Sequence, residues 1–389
     1  MNEPTRIYLD NAATSWPKPE AVYAAVNAYQ REHGAAAGRS AYADADHAQR
    51  LVTDTRRSVA EMIGATSSNR VVFTFNGTDA LNLALHGLLR DGDHVVTTVV
   101  EHNSILRPLK TLEQSAGIEV TRVECDAEGR VQASAIRDAL RPQTALVAMI
   151  HASNVTGALQ PVTQVAEIVQ GHGARLLVDA AQSLGHVPLD VNDLPIDLLA
   201  APGHKGLLGP LGTGLLYVAS GVEQSLQSVR QGGTGTESEV DQQPEELPEK
   251  YESGNLNVVG LAGLQAGLTY LGELGIDAIR RQESELTSQL LDELSRVPRI
   301  RIHGPPDARD RVGVVSFSLP GFDPQEIAAV LDASFHIQVR SGLHCAPLLH
   351  RAIGTFSAGG TVRISSGPFT TADHIEALCA ALTEIATSR

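Results

Sequence analysis

The chain has 389 residues, 42% of them apolar, enough for about two domains with a sizeable buried core. Its formal net charge is −15 and no long basic run occurs, which excludes nucleic acid as the expected partner, because binding phosphates needs clustered Lys and Arg. The three cysteines, Cys125, Cys345 and Cys379, are widely spaced with no CxxC pair, so neither a zinc site nor a disulfide framework is indicated, and free thiols suit a reducing compartment.

The first residues are polar and run straight into the strand-like Ile7, Tyr8 and Leu9, with no apolar signal region. No apolar run approaches the roughly 20 residues of a membrane span. The expectation is a cytoplasmic protein without a membrane anchor. From Val71 onward short apolar runs alternate with helical patterns. Strands are predicted at 71–75, 94–99, 118–123, 145–150, 175–178, 196–200 and 214–218, with helices at 78–90, 104–116 and 162–172. This alternation predicts an α/β fold with a mostly parallel sheet covered on both faces, whose ligands collect at the strands' carboxyl ends.

Residues 232–257 are rich in Gly, Pro and acids and read as loops. Two long helical patterns follow at 259–274 and 277–296. A smaller αβ unit comes next, with strands near 300–303, 313–319, 338–340 and 362–365, and a last helix at 372–387. The predicted division is a large domain to about Asn257 and a smaller C-terminal one, with which the N-terminal strand packs.

Several segments carry chemistry. In LLVDAAQSLG (176–185) a buried strand ends in Asp179, which is costly unless a charge meets it; alone it reads as a helix-capping Asp. APGHKGLLGPLGTG (201–214) sets Lys205 in a glycine-rich turn, where a partly dry amine can form an imine; the plain alternative is a surface lysine. A strand-end Asp beside a loop Lys is the pairing that pyridoxal phosphate requires. FNGTDALN (75–82) puts Gly77 and Thr78 before a helix, where backbone N–H groups attract an anion. His102 follows a strand and can stack on a flat ring or shuttle protons, and Asn154 offers a hydrogen bond or simply forms a turn. Cys125 and Cys379 read as packing residues.

The ordered series YLDNAAT (8–14), NGTDALN (76–82), EHNS (101–104), SNVTG (153–157), VDAAQS (178–183), GHKGLLGPLGTG (203–214), YESGNLN (251–257), VRSGLHCAP (339–347) and TVRIS (361–365) resembles the class-V aminotransferases, and within them the cysteine desulfurases. The resemblance implies the pyridoxal-phosphate-dependent transferase fold of type I. It pairs a large domain, 16–257, built on a seven-stranded-type sheet with a small domain, 258–389, joined by the segment 1–15 and carrying Cys345 and Arg363. It implies that Lys205 forms the imine, Asp179 holds the pyridine nitrogen, Gln182 the phenolic oxygen, and His102 stacks over the ring. Gly77, Thr78 and His204 would bind the phosphate, helped by Asn255 across a homodimer interface. Arg363, Asn154, Asn11 and Ala12 would receive the substrate, and Cys345 would be the nucleophile.

The short cysteine segment is similar to the group II, SUF-like enzymes and the selenocysteine lyases. Pro202, Asn255, Leu343 and Asn103 depart from the family pattern. The implied reaction takes L-cysteine to L-alanine and leaves a persulfide on Cys345 for a sulfur-acceptor protein, with His344 or His102 helping to ionise the thiol. Three alternatives stand beside it: a lyase acting on L-selenocysteine, another class-V enzyme, and an inactive cofactor-binding scaffold for sulfur-transfer partners.

Overall fold

The computed structural model describes residues 6–38, 42–237 and 239–388. A short strand, β1 (Ile7–Tyr8), leads to two helices, α1 (Glu20–Ala28) and α2 (Ala43–Met62). Strands and helices then alternate: β2 (Val71–Thr74), α3 (Gly77–Leu88), β3 (His94–Thr98), α4 (Asn103–Ser115), β4 (Glu119–Val123), α5 (Ala133–Ala139), β5 (Thr144–Ile150), α6 (Val162–His172) and β6 (Arg175–Asp179). β7 (Leu198–Pro202) and β8 (Gly214–Val218) end the series.

These strands form one seven-stranded sheet in the order β2-β8-β7-β6-β5-β3-β4. Only β8 runs against its neighbours, β2 and β7. The sheet is therefore mostly parallel, as the alternating pattern predicts. Its strands are apolar along their length because both faces are covered. Successive residues enter opposite cores: Val96, Val147 and Val178 face one, and Val95, Leu146 and Leu177 the other.

The rest of the chain comprises α7 (Val258–Leu274), α8 (Ile276–Arg296), β9 (Arg301–His303), β10 (Val314–Ser318), α9 (Pro324–Phe335), β11 (Ile337–Gln338), β12 (Arg340–Gly342), α10 (Pro347–Ala352), β13 (Thr361–Ser365) and α11 (Ala372–Thr387). An antiparallel sheet, β12-β13-β10-β9, packs its apolar face on α8, α9 and α11 through Phe317, Ile364, Leu291, Leu331 and Leu382. β1 pairs in parallel with β11.

Two expectations change. The strand predicted at 338–340 is two strands, because the chain leaves β1 after Gln338 and joins β13 from Arg340. α7 sends Leu261, Leu264, Leu268 and Leu271 into the first core, against which Ile276 and Ile279 at the start of α8 also pack. α1, α2, α5, α9 and α10 are additional helices. Cys379 is buried in α11 and Cys125 is half-buried after β4, and burial pushes their thiols up to about 12 and about 11. Among the described residues no helix is long and apolar enough to cross a membrane.

Candidate active site

From β3 the chain steps outward to β4, whereas from β5 it steps the other way to β6. The loops after β3 and β5 therefore part, and a crevice opens at the strands' carboxyl ends. A cavity lies there. Lys205 and Asp179 both line it, as do Gln182, His102, Gly77, Thr78, His204 and Asn154.

One end of the cavity is the start of α3. Asn76 caps this helix, its Oδ1 accepting the Asp79 N–H at 2.9 Å. Gly77 and Thr78 stand in the first turn, whose N–H groups have no intrahelical acceptor. Pro202, the last residue of β7, packs against this turn: a Cβ at Gly77 would stand 3.1 Å from its Cδ. Thr78 Oγ1 and Ser104 Oγ share a hydrogen bond of 2.7 Å.

His102 caps α4. Its Nδ1 accepts the Ser104 N–H at 3.0 Å, which leaves the ring proton on Nε2. Burial, helped by the Lys205 cation, pushes its pKa down to about 4, so the ring is neutral. Asp179 ends β6 and is 2% exposed. Its Oδ1 accepts the Ala181 N–H at 2.9 Å, while burial raises its pKa against the pull of Lys205. Lys205 sits in the turn after β7, which is tied by Gly203 N–H to Thr213 O and Leu208 N–H to Lys205 O. Burial lowers the Lys205 pKa to about 8, opposed by Asp179. Two buried polar atoms of the lining, Asn154 Oδ1 and His204 Nδ1, have no partner among the described residues.

Cys345 lies beside this cavity, not in its lining. Its carbonyl accepts the N–H of Asn103, the neighbour of His102, at 2.8 Å. Asn154 Nδ2 donates to the His344 carbonyl at 2.6 Å. His344 and Cys345 are both left-handed, with φ of 46° and 60°. The His344 ring is buried against Thr361, and burial pushes its pKa down to about 2. Both imidazoles considered as helpers of the thiol are thus neutral. The cation against Cys345 is Arg340, whose Nη2 is 3.9 Å from Sγ.

The remaining predicted residues stand around the cavity. Arg363, buried in β13, donates to Asp10 Oδ1 at 2.7 Å and to the Asn154 carbonyl at 3.0 Å, and its Nε has no partner among the described residues. Asn11 is occupied at both ends, by the Ser365 carbonyl and the Trp16 N–H. The Ala12 N–H donates to Ser365 Oγ at 2.9 Å, and its carbonyl accepts from Gln182 Nε2 at 3.0 Å. Asn11 and Ala12 therefore fasten the N-terminal segment to β13 and the Gln182 loop. Asn255 is exposed and lines a separate cleft with Phe75, Gly212 and Arg230. Sequence reasoning missed Arg340 and Asp10, although both stand inside or beside quoted motifs. A charged residue next to a nucleophile or a substrate-side arginine was the available signal.

Comparison with known proteins agrees with this geometry. Residues 7–378 match the family model described as "Aminotransferase class-V". A "Probable cysteine desulfurase" of Methanothermobacter thermautotrophicus is 38% identical, over 98% of this chain and 94% of that protein. Another protein so named, from Pyrococcus abyssi, is 36% identical over the same shares. The apo structure of a cysteine desulfurase from Thermococcus onnurineus NA1 superposes with a TM-score of 0.92 at 34% identity, covering 98% of this chain and 94% of that one. With the cavity at the switch in strand order, its buried acid and amine, and a match over nearly the whole length, the chain belongs to the class-V aminotransferases, a family of pyridoxal-phosphate enzymes.

Proposed function

We propose that this protein is a cysteine desulfurase: it takes L-cysteine to L-alanine and leaves the sulfur as a persulfide on Cys345. The observation that carries the reading is that Lys205 and Asp179 line one cavity to which the Cys345 turn is hydrogen-bonded. The chain's relatives and structural neighbours bearing that name support it.

The residues fit pyridoxal 5′-phosphate. Asp179 would hold the pyridine nitrogen, Gln182 the phenolic oxygen, and His102 one ring face. Gly77, Thr78 and His204 would hold the phosphate, and the unpartnered His204 Nδ1 and Asn154 Oδ1 are polar atoms that a polar ligand satisfies. Bound there, the cofactor supplies an electron sink for the pair left when the Cα proton departs. Lys205, with its pKa lowered to about 8, has a substantial neutral fraction near neutrality, as an imine-forming amine and a base at Cα need. Arg340 donates toward the sulfur of Cys345. That sulfur attacks the substrate sulfur, the substrate's C–S bond breaks, and Cβ takes a proton. One cysteine and one thiol thus become one alanine and one persulfide. Arg363 would orient the substrate carboxylate, which then competes with Asp10 for the guanidinium.

We place the protein in the cytoplasm, a reading supported by three free cysteines. We propose a homodimer in which Asn255 reaches the partner's phosphate. Its exposure, outside its own chain's cavity, supports that role, and a sulfur-acceptor protein would remove the persulfide.

The test pairs two variants. Lys205→Ala should lose the visible absorbance of the bound imine. Cys345→Ala should retain that band but release no sulfide from cysteine. Undiminished sulfide from Cys345→Ala would overturn the desulfurase reading and leave the cofactor reading standing.

A further inference from the structure

Lys18 is a largely buried cation that has no carboxylate partner among the described residues. Burial lowers its pKa to about 8, and no acid offsets this. Its Nζ donates to Ser15 Oγ at 2.6 Å and to the His204 carbonyl at 2.9 Å. Because Ser15 Oγ accepts from Lys18, its own proton is free for the carbonyls of Lys205 and His204, 3.0 and 3.2 Å away. The Ser15 N–H and Thr14 Oγ1 reach the His204 carbonyl as well, each at 3.1 Å. The carbonyls on both sides of the Lys205 Cα are therefore gripped by one short segment, with a charge at its end.

The grip is held from behind. Lys18 stands between Pro17 and Pro19, whose rings limit its backbone, and its N–H donates to Tyr23 Oη at 2.9 Å. At the residue after Lys205, a Cβ on Gly206 would strike the Leu184 carbonyl and, at 2.7 Å, the His186 ring. The turn that carries Lys205 is therefore approached closely by both segments, through hydrogen bonds from one and close packing from the other. A cation buried without an anion is costly. Here its donors are spent on the peptide that carries the amine.

We infer that Lys18 is a positioning residue for Lys205: through Ser15 and the His204 carbonyl it sets the direction from which the Lys205 amine approaches the cofactor's aldehyde. The inference rests on the pyridoxal phosphate reading above.

The test uses cofactor-free protein to which pyridoxal phosphate is added. Two signals are followed: the growth of the visible imine band, and the dichroism of that band, which reports how the bound ring is held. Lys18→Met should slow band growth by about tenfold, the size of effect expected for losing a charge-assisted hydrogen bond, and should reduce the dichroism. Lys18→Arg, which keeps the charge and the donors, should restore most of both. Ser15→Ala, which removes the hydroxyl between Lys18 and the two carbonyls but leaves the direct bond from Lys18 Nζ to the His204 carbonyl, should shift both signals in the same direction by less. If Lys18→Met matches the parent in both signals, or if Lys18→Arg is no better than Lys18→Met, the inference is overturned. Should Lys18→Met not fold, Ser15→Ala decides, and parent-like behaviour in it refutes the role. A parent protein that forms no band, or a Lys205→Ala variant that keeps it, would instead refute the cofactor reading.

Discussion

Glu101 is an acid with nowhere to put a charge. It is wholly buried after β3; Oε1 accepts from Thr98 Oγ1 at 2.7 Å and Oε2 has no hydrogen-bond partner among the described residues. Burial pushes its pKa up to about 8, and the nearby Asp179 carboxyl acts in the same direction. In the unfolded chain a glutamate ionises near about 4.3. The folded state therefore holds the proton more tightly. Its stabilisation is full below the unfolded value and is lost as pH rises through about 8. Glu101→Gln has the same outline and no proton to lose. Urea midpoints measured at about pH 6 and about pH 9 should fall further in the parent than in Glu101→Gln. An equal fall in both would mean that Glu101 is charged in the fold. The sequence displayed this residue only as the first letter of EHNS. The same limit explains the histidines: His102 and His344 look like acid–base candidates in the chain, and burial, invisible there, keeps both neutral. Lys205, Asp179 and Cys345 were legible because family motifs name them. The Asp10 carboxylate on Arg363 was not, because 353 residues separate the pair.

At the scale of elements, the Cys345 turn shows how local strain is supported from a distance. Two consecutive left-handed residues cost free energy and persist only where the surroundings hold them. Asn154 and Asn103 hold the two carbonyls, and Thr361, at the head of β13, holds the His344 ring. Just before Thr361, Gly360 has φ of 103°, and a Cβ there would collide with the Gly342 carbonyl at the end of β12. Gly360→Ala must therefore push β12 away from β13 and shift the turn that follows it. The expected result is a loss of about 1–3 kcal/mol in unfolding free energy. Sulfide release should fall at least about tenfold, because misplacing a reacting group is costly to catalysis. The visible imine band should remain, since β12 and β13 contribute nothing to the cavity lining. A variant with parent-like sulfide release would show that the hairpin does not set the thiol. Elements of the large sheet were legible because their apolar runs are unbroken. α2 was not: its buried face is Ala45, Ala48, Val52, Thr55, Arg56, Val59 and Ala60, too small and too polar to mark a stripe.

Across the whole molecule, the cavity is lined by the loops of the seven-stranded sheet, and an N-terminal segment and the Cys345 hairpin are fastened beside it. What joins such distant parts is partly ionic. Arg56 of α2 meets Glu252 in a bidentate pair at 2.6 and 2.8 Å, 6% and 8% exposed. Glu252 Oε1 also accepts the Phe73 N–H of β2 at 2.6 Å, and the Arg56 guanidinium lies over the Phe73 ring. The pair thus ties a helix, an edge strand and the segment 251–257, which carries Asn255 at the surface. Nothing in the sequence joins residue 56 to residue 252; the acid-rich stretch reads as solvated loop, yet two of its charged residues, Lys250 and Glu252, are buried. A buried pair is weak evidence of net stabilisation, but removing one partner strands the other charge. Arg56→Met should therefore lower unfolding stability by about 3–5 kcal/mol, measured by denaturant titration. The double variant Arg56→Met with Glu252→Gln should recover part of the loss, because no carboxylate is then left buried alone. The proposed dimer adds a second reading of the same variants. If the segment 251–257 forms part of the subunit interface, Arg56→Met should also dissociate at lower dilution than the parent in sedimentation, while the double variant sediments nearer to the parent. An Arg56→Met protein with parent-like stability would show that the carboxylate finds another partner, and that the tie between α2 and this segment lies in their apolar packing.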